Sequence, residues 1–135
     1  MVIEMELSKI IIDEKRQDQV IVLKEKNGER LLPIVIGFLE ASSIKMKLTG
    51  LNPARPLTHD LLYAVVESLE AHLEKIVIDK LENNTFHAKL FFKTESGKPK
   101  IVDARPSDSI ALSVRAKAPI FVDEEVLKQS ANLNT

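Results

Sequence analysis

One pattern occurs twice in this chain. SKIIIDEKRQDQVIVL (8–23) laid over EKIVIDKLENNTFHAKL (74–90) sets Lys9, Ile10, Ile11, Ile12 and Asp13 on Lys75, Ile76, Val77, Ile78 and Asp79, and Val20 on Phe86. Each copy continues into a polar turn around a glycine, KNGER (26–30) and ESGKP (95–99), then into a third apolar run, LLPIVI (31–36) and KIVDA (100–104). Asn and Gly tolerate the positive φ of tight turns, so both stretches predict antiparallel hairpins. Helical spacing follows in both copies. Over 38–49, Leu39, Ala41, Ile44 and Leu48 form a stripe that Gly50 stops; over 107–117, Ile110, Ala111, Val114 and Ala118 form one that Pro119 stops.

Between the copies, Leu61, Leu62, Val65, Val66, Leu69 and Leu73 recur at three and four and predict a linking helix over about 58–73. After the second copy, IFV (120–122) reads as a short strand, Asp123 as the cap of a helical turn through EEVLKQ, and SANLNT as a frayed end. The expected fold class is therefore α+β. A β-β-β-α unit is duplicated around a linking helix, with a mostly antiparallel or mixed sheet and helices packed on it. A chain of 135 residues fits one domain, about 1–125, with halves at 8–50 and 74–118 and a tail at 126–135.

Composition narrows the chemistry. There is no cysteine, which removes disulfides, thiolate metal sites and a cysteine nucleophile. MVIEMELSKIIID has no basic start, and Glu4 and Glu6 break its apolar run, so no signal peptide is expected. No apolar stretch nears the ~18 residues of a membrane span. A cytoplasmic protein without a membrane partner is the expectation. Nineteen basic residues face twenty acidic ones. That balance argues against a passive nucleic-acid coat, whose affinity comes from neutralising phosphates, but leaves room for a local groove.

Two short stretches, RPLTHD (55–60) and RPSDS (105–109), place Arg-Pro just before a hydroxyl residue and an aspartate. Proline keeps the preceding residue extended and suits a helix start. Thr58 and Ser107 are expected as N-caps, and Asp60 and Asp108 as first-turn carboxylates facing the positive helix end. That account leaves His59 and both arginines unexplained. An extended arginine beside unpaired helix N–H groups suits a phosphate; the alternative is that each pairs with a nearby carboxylate, such as Arg105 with Asp103 or Asp108.

LLPIVIG (31–37) followed by Glu40, RPLTHDLL (55–62), NTFHAKL (84–90) and DARPSDSIALSVRAKAPIFV (103–122) together resemble the bifunctional nuclease domain family. The resemblance spans about residues 7–122. The family includes bacterial proteins of unassigned role and plant proteins described as cutting both RNA and DNA. It implies an α+β fold with an internal repeat, phosphodiester hydrolysis with low sequence selectivity, and homo-oligomers, a dimer being favoured. Carried onto this chain, it implies His59, Arg105 and Asp108 as catalytic residues, and Arg55, Arg105, Thr58 and Ser107 as contacts to an RNA or DNA substrate. Glu40, Asp60, Asp103 and Asp108 would be candidate ligands for Mg²⁺ or Mn²⁺. A reading from another class stands beside it: a non-catalytic oligomeric module that binds an anionic small molecule or a protein partner. Five Phe, one Tyr and no Trp leave few platforms for stacking single-stranded bases, which favours that alternative.

Overall fold

The computed structural model describes residues 1–13, 15 and 18–133. The first turn of the repeat and the last two residues of the expected tail fall partly or wholly outside them. In order the elements are β1 (Val2–Ile11), β2 (Asp18–Glu25), β3 (Leu31–Gly37), α1 (Phe38–Leu48), α2 (Thr58–Ser68), β4 (His72–Glu82), β5 (Thr85–Lys93), β6 (Pro99–Ala104), α3 (Pro106–Ala116), β7 (Ile120–Asp123) and α4 (Glu124–Leu133). This is the expected α+β arrangement. Each half runs β-β-β-α, and α2 links them.

Among the described residues one seven-stranded sheet has the order β3-β2-β1-β7-β4-β5-β6. Each half is an antiparallel meander. β7 joins them, antiparallel to β1 through Met5↔Ile120 and parallel to β4 through Ile76↔Ile120. Alternation decides which face is covered. Ile21, Leu23, Leu32, Ile34, Ile76 and Ile78 are buried in the core with Ala41 and Ile44 of α1, Ile110 and Leu112 of α3 and Val126 of α4. On the other face Leu31, Val35 and Ile101 remain exposed. There Lys75 lies over the rings of Phe91 and Phe121, at 4.9 and 5.8 Å from their centres.

The hairpin turns follow a different chemistry from the one expected. Gly28 does not take a positive φ, whereas Gly97 does at 82°. Asn83 and Asn84, at 52° and 62°, form the two-residue β4–β5 turn. Consecutive positive φ values match the right-handed twist of the flanking strands.

The linking helix is shorter than expected. It ends at Ser68, because Glu70 turns left-handed (φ 59°) and the N–H groups of Glu70 and Ala71 bond Glu67 O and Val66 O. That pair of hydrogen bonds closes the helix as glycine does at Gly50 after α1. Leu73 therefore belongs to β4, where it is buried, and His72 opens that strand instead of ending a helix. The stripe on α2 also faces outward: Leu61, Leu62, Val65 and Leu69 are exposed, and His59 is the helix's one buried residue. Leu39 and Leu48 of α1 are exposed as well. At the other end α4 extends helically to Leu133 with Ser130 buried, so the expected frayed end is largely ordered helix. Asp123 Oδ1 accepts the Glu125 N–H at 2.9 Å, in the capping role expected of it.

No helix among the described residues is long and apolar enough to cross a membrane. α3 is the pivot, since it contacts the sheet on one side and α1 and α2 on the other. Ser109, Ala111 and Ser113 on α3 are all buried, small enough to let neighbours approach.

Ile78→Ala should lower the free energy of unfolding by about 2–5 kcal/mol in urea melts, since it hollows the covered face. Leu69→Ala should change it by less than about 0.5 kcal/mol. Equal losses would contradict the outward placement of the α2 stripe.

Candidate functional site

Both Arg-Pro stretches do start helices, but the caps differ from expectation. The N-cap residues are Leu57 and Arg105, both extended, with no hydroxyl cap. Thr58 is thus the first helical residue of α2, and Ser107 the second of α3. The reasons are local. Pro106 itself takes the first helical position, where its missing N–H costs nothing, and this moves the cap back to Arg105. In α2, Asp60 reaches back so that its Oδ2 accepts the Leu57 N–H at 2.9 Å, which holds the entrance without help from Thr58.

These entrances put α2 and α3 beside α1, and a chain of polar contacts ties the three together. Arg105 Nη1 lies 3.3 Å from Glu40 Oε1, and its Nε donates to Asp108 Oδ2 at 2.8 Å. Asp108 Oδ1 is 2.8 Å from His59 Nε2, and His59 Nδ1 is 2.8 Å from Ser43 Oγ. Arg115 Nη2 donates to Ser43 Oγ at 3.0 Å, its Nη1 to Ala111 O at 2.8 Å and its Nε to Asp60 Oδ1 at 2.7 Å. Donor counting sets the ring's tautomer. The ionised Asp108 carboxylate can only accept, so in the neutral ring the proton sits on Nε2, and Ser43, whose Oγ accepts from Arg115, gives its own proton to His59 Nδ1. His59 Nε2–H then donates to Asp108.

Burial raises the stakes of this network. His59 and Ser43 are buried, and the Arg115 side chain is 3% exposed. Burial pushes the Asp108 carboxyl up, but hydrogen bonds from Arg105 and His59 outweigh it and hold the group below its ordinary 3.8. Burial likewise raises Asp60, and the Leu57 N–H and Arg115 more than reverse that, leaving it lowered. Arg105 is held above its usual value, chiefly by its bond to Asp108.

His59, Arg105, Asp108, Glu40 and Thr58 all line one cavity of about 450 Å³, with Ser43 and an apolar wall of Leu39, Met46 and Leu57. Arg105 is 66% exposed there, and its Nη2 has no partner among the described residues. Asp60 does not line this cavity; it pairs with Arg115, and the two line a separate cavity of about 340 Å³ that shares Met46 and Leu57 with this one. Asp103 lies elsewhere, 74% exposed on β6 and 3.2 Å from Lys89 Nζ. Arg55 is exposed and lines neither this cavity nor a second one between the end of β3 and the start of α3. Ser107 opens into that second cavity.

The four expected metal ligands accordingly divide. Glu40 and Asp108 share one guanidinium; Asp60 and Asp103 sit on other cations. Among the described residues no three His, Asp or Glu side chains converge on a point where an ion could be held. A pair of carboxylates matches the Mg²⁺ pattern in which substrate phosphate and water complete the shell, so Glu40 and Asp108 fit such an ion and the larger set does not.

Ser43 and Arg115 are absent from the residues singled out in the sequence. Arg115 follows Asp108 by seven, which places both on one face of α3, and Ser43 follows Glu40 by three on α1. Those spacings were the available signal.

The sequence profile of the bifunctional nuclease domain matches residues 21–134. The chain belongs to that family. An uncharacterized protein of Mycobacterium tuberculosis is 40% identical over 124 residues, 92% of this chain and 73% of that protein. Bifunctional nuclease 1 of Arabidopsis thaliana is 29% identical over 77% of this chain, and Bifunctional nuclease 2 of Oryza sativa subsp. japonica 27% over 82%. This bifunctional nuclease domain corresponds to 33% and 35% of those two plant proteins.

Arg115→Ala should cost about 3–5 kcal/mol in denaturant melts, because Asp60 and Ser43 lose a buried partner. Stability should also be lost in acid. Asp60 and Asp108 have folded values below 3.8, so their contribution is complete above that pH and disappears as pH falls through the lowered values. The Asp60→Asn, Asp108→Asn double variant should give a flatter stability profile below pH 3.8; an unchanged acid limb would contradict the assignment.

Proposed function

We propose that this domain is a nuclease that hydrolyses phosphodiester bonds in RNA and DNA with low sequence selectivity, at the cavity lined by His59, Arg105 and Asp108. One observation carries the reading: an oriented imidazole and a guanidinium with a spare donor edge face the same cavity, held by the same carboxylate. The nuclease names of the plant relatives support it.

In this reading a phosphodiester lies against the outward Nη2 of Arg105, which offsets charge developing on the phosphate. An attacking water passes its proton through the Ser43 hydroxyl to His59 Nδ1. Asp108 stabilises the imidazolium so formed and keeps the ring aimed. The same proton later returns to the leaving oxygen. Leu39, Met46 and Leu57 offer an apolar wall to a base or sugar, while Thr58 and Arg55 at the α2 entrance contact the flanking strand. Glu40 and Asp108 would hold a divalent cation, whose chemistry when bound is further neutralisation of the phosphate. The protein would act in the cytoplasm as a homodimer; its cysteine-free composition and the apolar residues exposed on α2 support this.

The alternative, an anion-binding module without turnover, is favoured by a different observation. Each of Glu40, Asp60 and Asp108 already has a cationic partner, and both ring nitrogens of His59 are engaged, as in a network that serves only to hold helices together.

The deciding experiment is cleavage of RNA and single-stranded DNA by nuclease-free protein with Mg²⁺ or Mn²⁺. Cleavage should be abolished by chelator and lowered about 10²–10⁴-fold in His59→Ala. Protein that binds phosphate but cuts neither polymer under any of these conditions would replace the nuclease reading with the binding module.

A further inference from the structure

A second cavity, of about 430 Å³, opens on the other side of Arg105. The end of β3, the β4–β5 turn and the start of α3 form its walls, and Gly37, Thr85, Arg105, Pro106 and Ser107 are among its lining residues. Two independent features point to what it takes. The first is the start of α3, an eleven-residue helix whose N-cap, Arg105, provides no side-chain cap. Pro106 has no N–H, so the Ser107 and Asp108 N–H groups are the donors that the first turn leaves unpaired, at the positive end of the helix. The second is Ser107 itself. The residue is 6% exposed, and its hydroxyl has no hydrogen-bond partner among the described residues. Nearby serines on α3 behave otherwise: Ser109 Oγ donates to Arg105 O at 2.8 Å and Ser113 Oγ to Ala118 O at 2.7 Å. Among the described residues the fully enclosed side-chain atom without a partner is Asp79 Oδ1, so the Ser107 oxygen, on an otherwise buried residue, is open to the cavity and free to take a ligand.

We infer that this cavity binds a phosphate group, held by the Ser107 hydroxyl, the first N–H groups of α3 and Arg105. The identity of its source rests on the nuclease reading above: it is the backbone phosphate next to the one at His59, so that a strand crosses Arg105 with one phosphate on each side. Asp18 also lines the cavity, and its carboxylate opposes an anion. This gives the inference a second sign to test.

The test is a titration of the full chain, followed by the backbone amide NMR signals of Ser107 and Asp108. Inorganic phosphate is the first probe and a short oligodeoxythymidylate with chelator present is the second. Both amides should shift and saturate with each probe, the oligonucleotide acting at lower concentration. Ser107→Ala should weaken phosphate binding roughly tenfold, the size of one charge-assisted hydrogen bond. Ser107→Glu, which suits a helix start but repels anions, should abolish it, and Asp18→Asn should tighten it. Amides that stay still, or a Ser107→Ala protein that binds phosphate as the parent does, would overturn the site. Amides that respond to phosphate and not to the oligonucleotide would overturn the strand assignment. Because these are binding readouts, a protein that cuts nothing would sink the nuclease reading and leave this test intact.

Discussion

The Asp108 carboxylate is shared. One oxygen takes His59 and the other takes Arg105, and this division sets the geometry of everything around it. The carboxylate can serve both because it stands in the first turn of α3, where the chain leaves β6 through Arg105 and Pro106. A guanidinium three residues earlier reaches it from the same helix, and an imidazole reaches it from α2. The helix dipole favours a negative group at this place, and the two donors do so more strongly.

From Asp108 the contacts run inward through Ser43 to Arg115 and Asp60. This half pairs a buried guanidinium with a partly exposed carboxylate; it adds little net stability by itself yet is costly to break, because Arg115 is enclosed with its hydrogen bonds made. Its effect is geometric. α2 fully buries only His59, and among the described residues Tyr63 is its one side chain packed partly against the core, so apolar contact does little to set its rotation against α3. His59 on Asp108 and Asp60 on Arg115 fix that rotation. The exposed leucines of α2 follow from the same arrangement, because polar residues occupy the side that faces the protein. The cavity side of the network has a different character, with an exposed arginine and an unused donor edge where charge can be offered to a ligand.

The fold was largely legible because it rests on periodicity. Alternation and the repeated KIIID/KIVID runs marked the strands, and Gly50 and Pro119 marked two helix ends. What was missed depended on signals with no residue type of their own. Glu70 ends α2 in a conformation usually left to glycine, so the three-and-four spacing ran on into Leu73. The outward turn of the α2 stripe was hidden for a related reason, since spacing shows that a helix is amphipathic and not which face meets the protein. At the site, His59, Arg105 and Asp108 stood out because the Arg-Pro pattern drew attention to helix entrances. Ser43 and Arg115 did not, because a serine in a helix and an arginine near a helix end are ordinary until tertiary contacts bring them together across 72 residues.

The shared carboxylate has a consequence that reads out at one atom. Long-range ¹H–¹⁵N NMR of the His59 ring, at a pH where the imidazole is neutral, reports which nitrogen carries the proton. The account predicts the Nε2–H tautomer, donating to Asp108, with that preference lost in Asp108→Ala. A ring protonated on Nδ1, or one that exchanges between both forms as a free imidazole does, would contradict it.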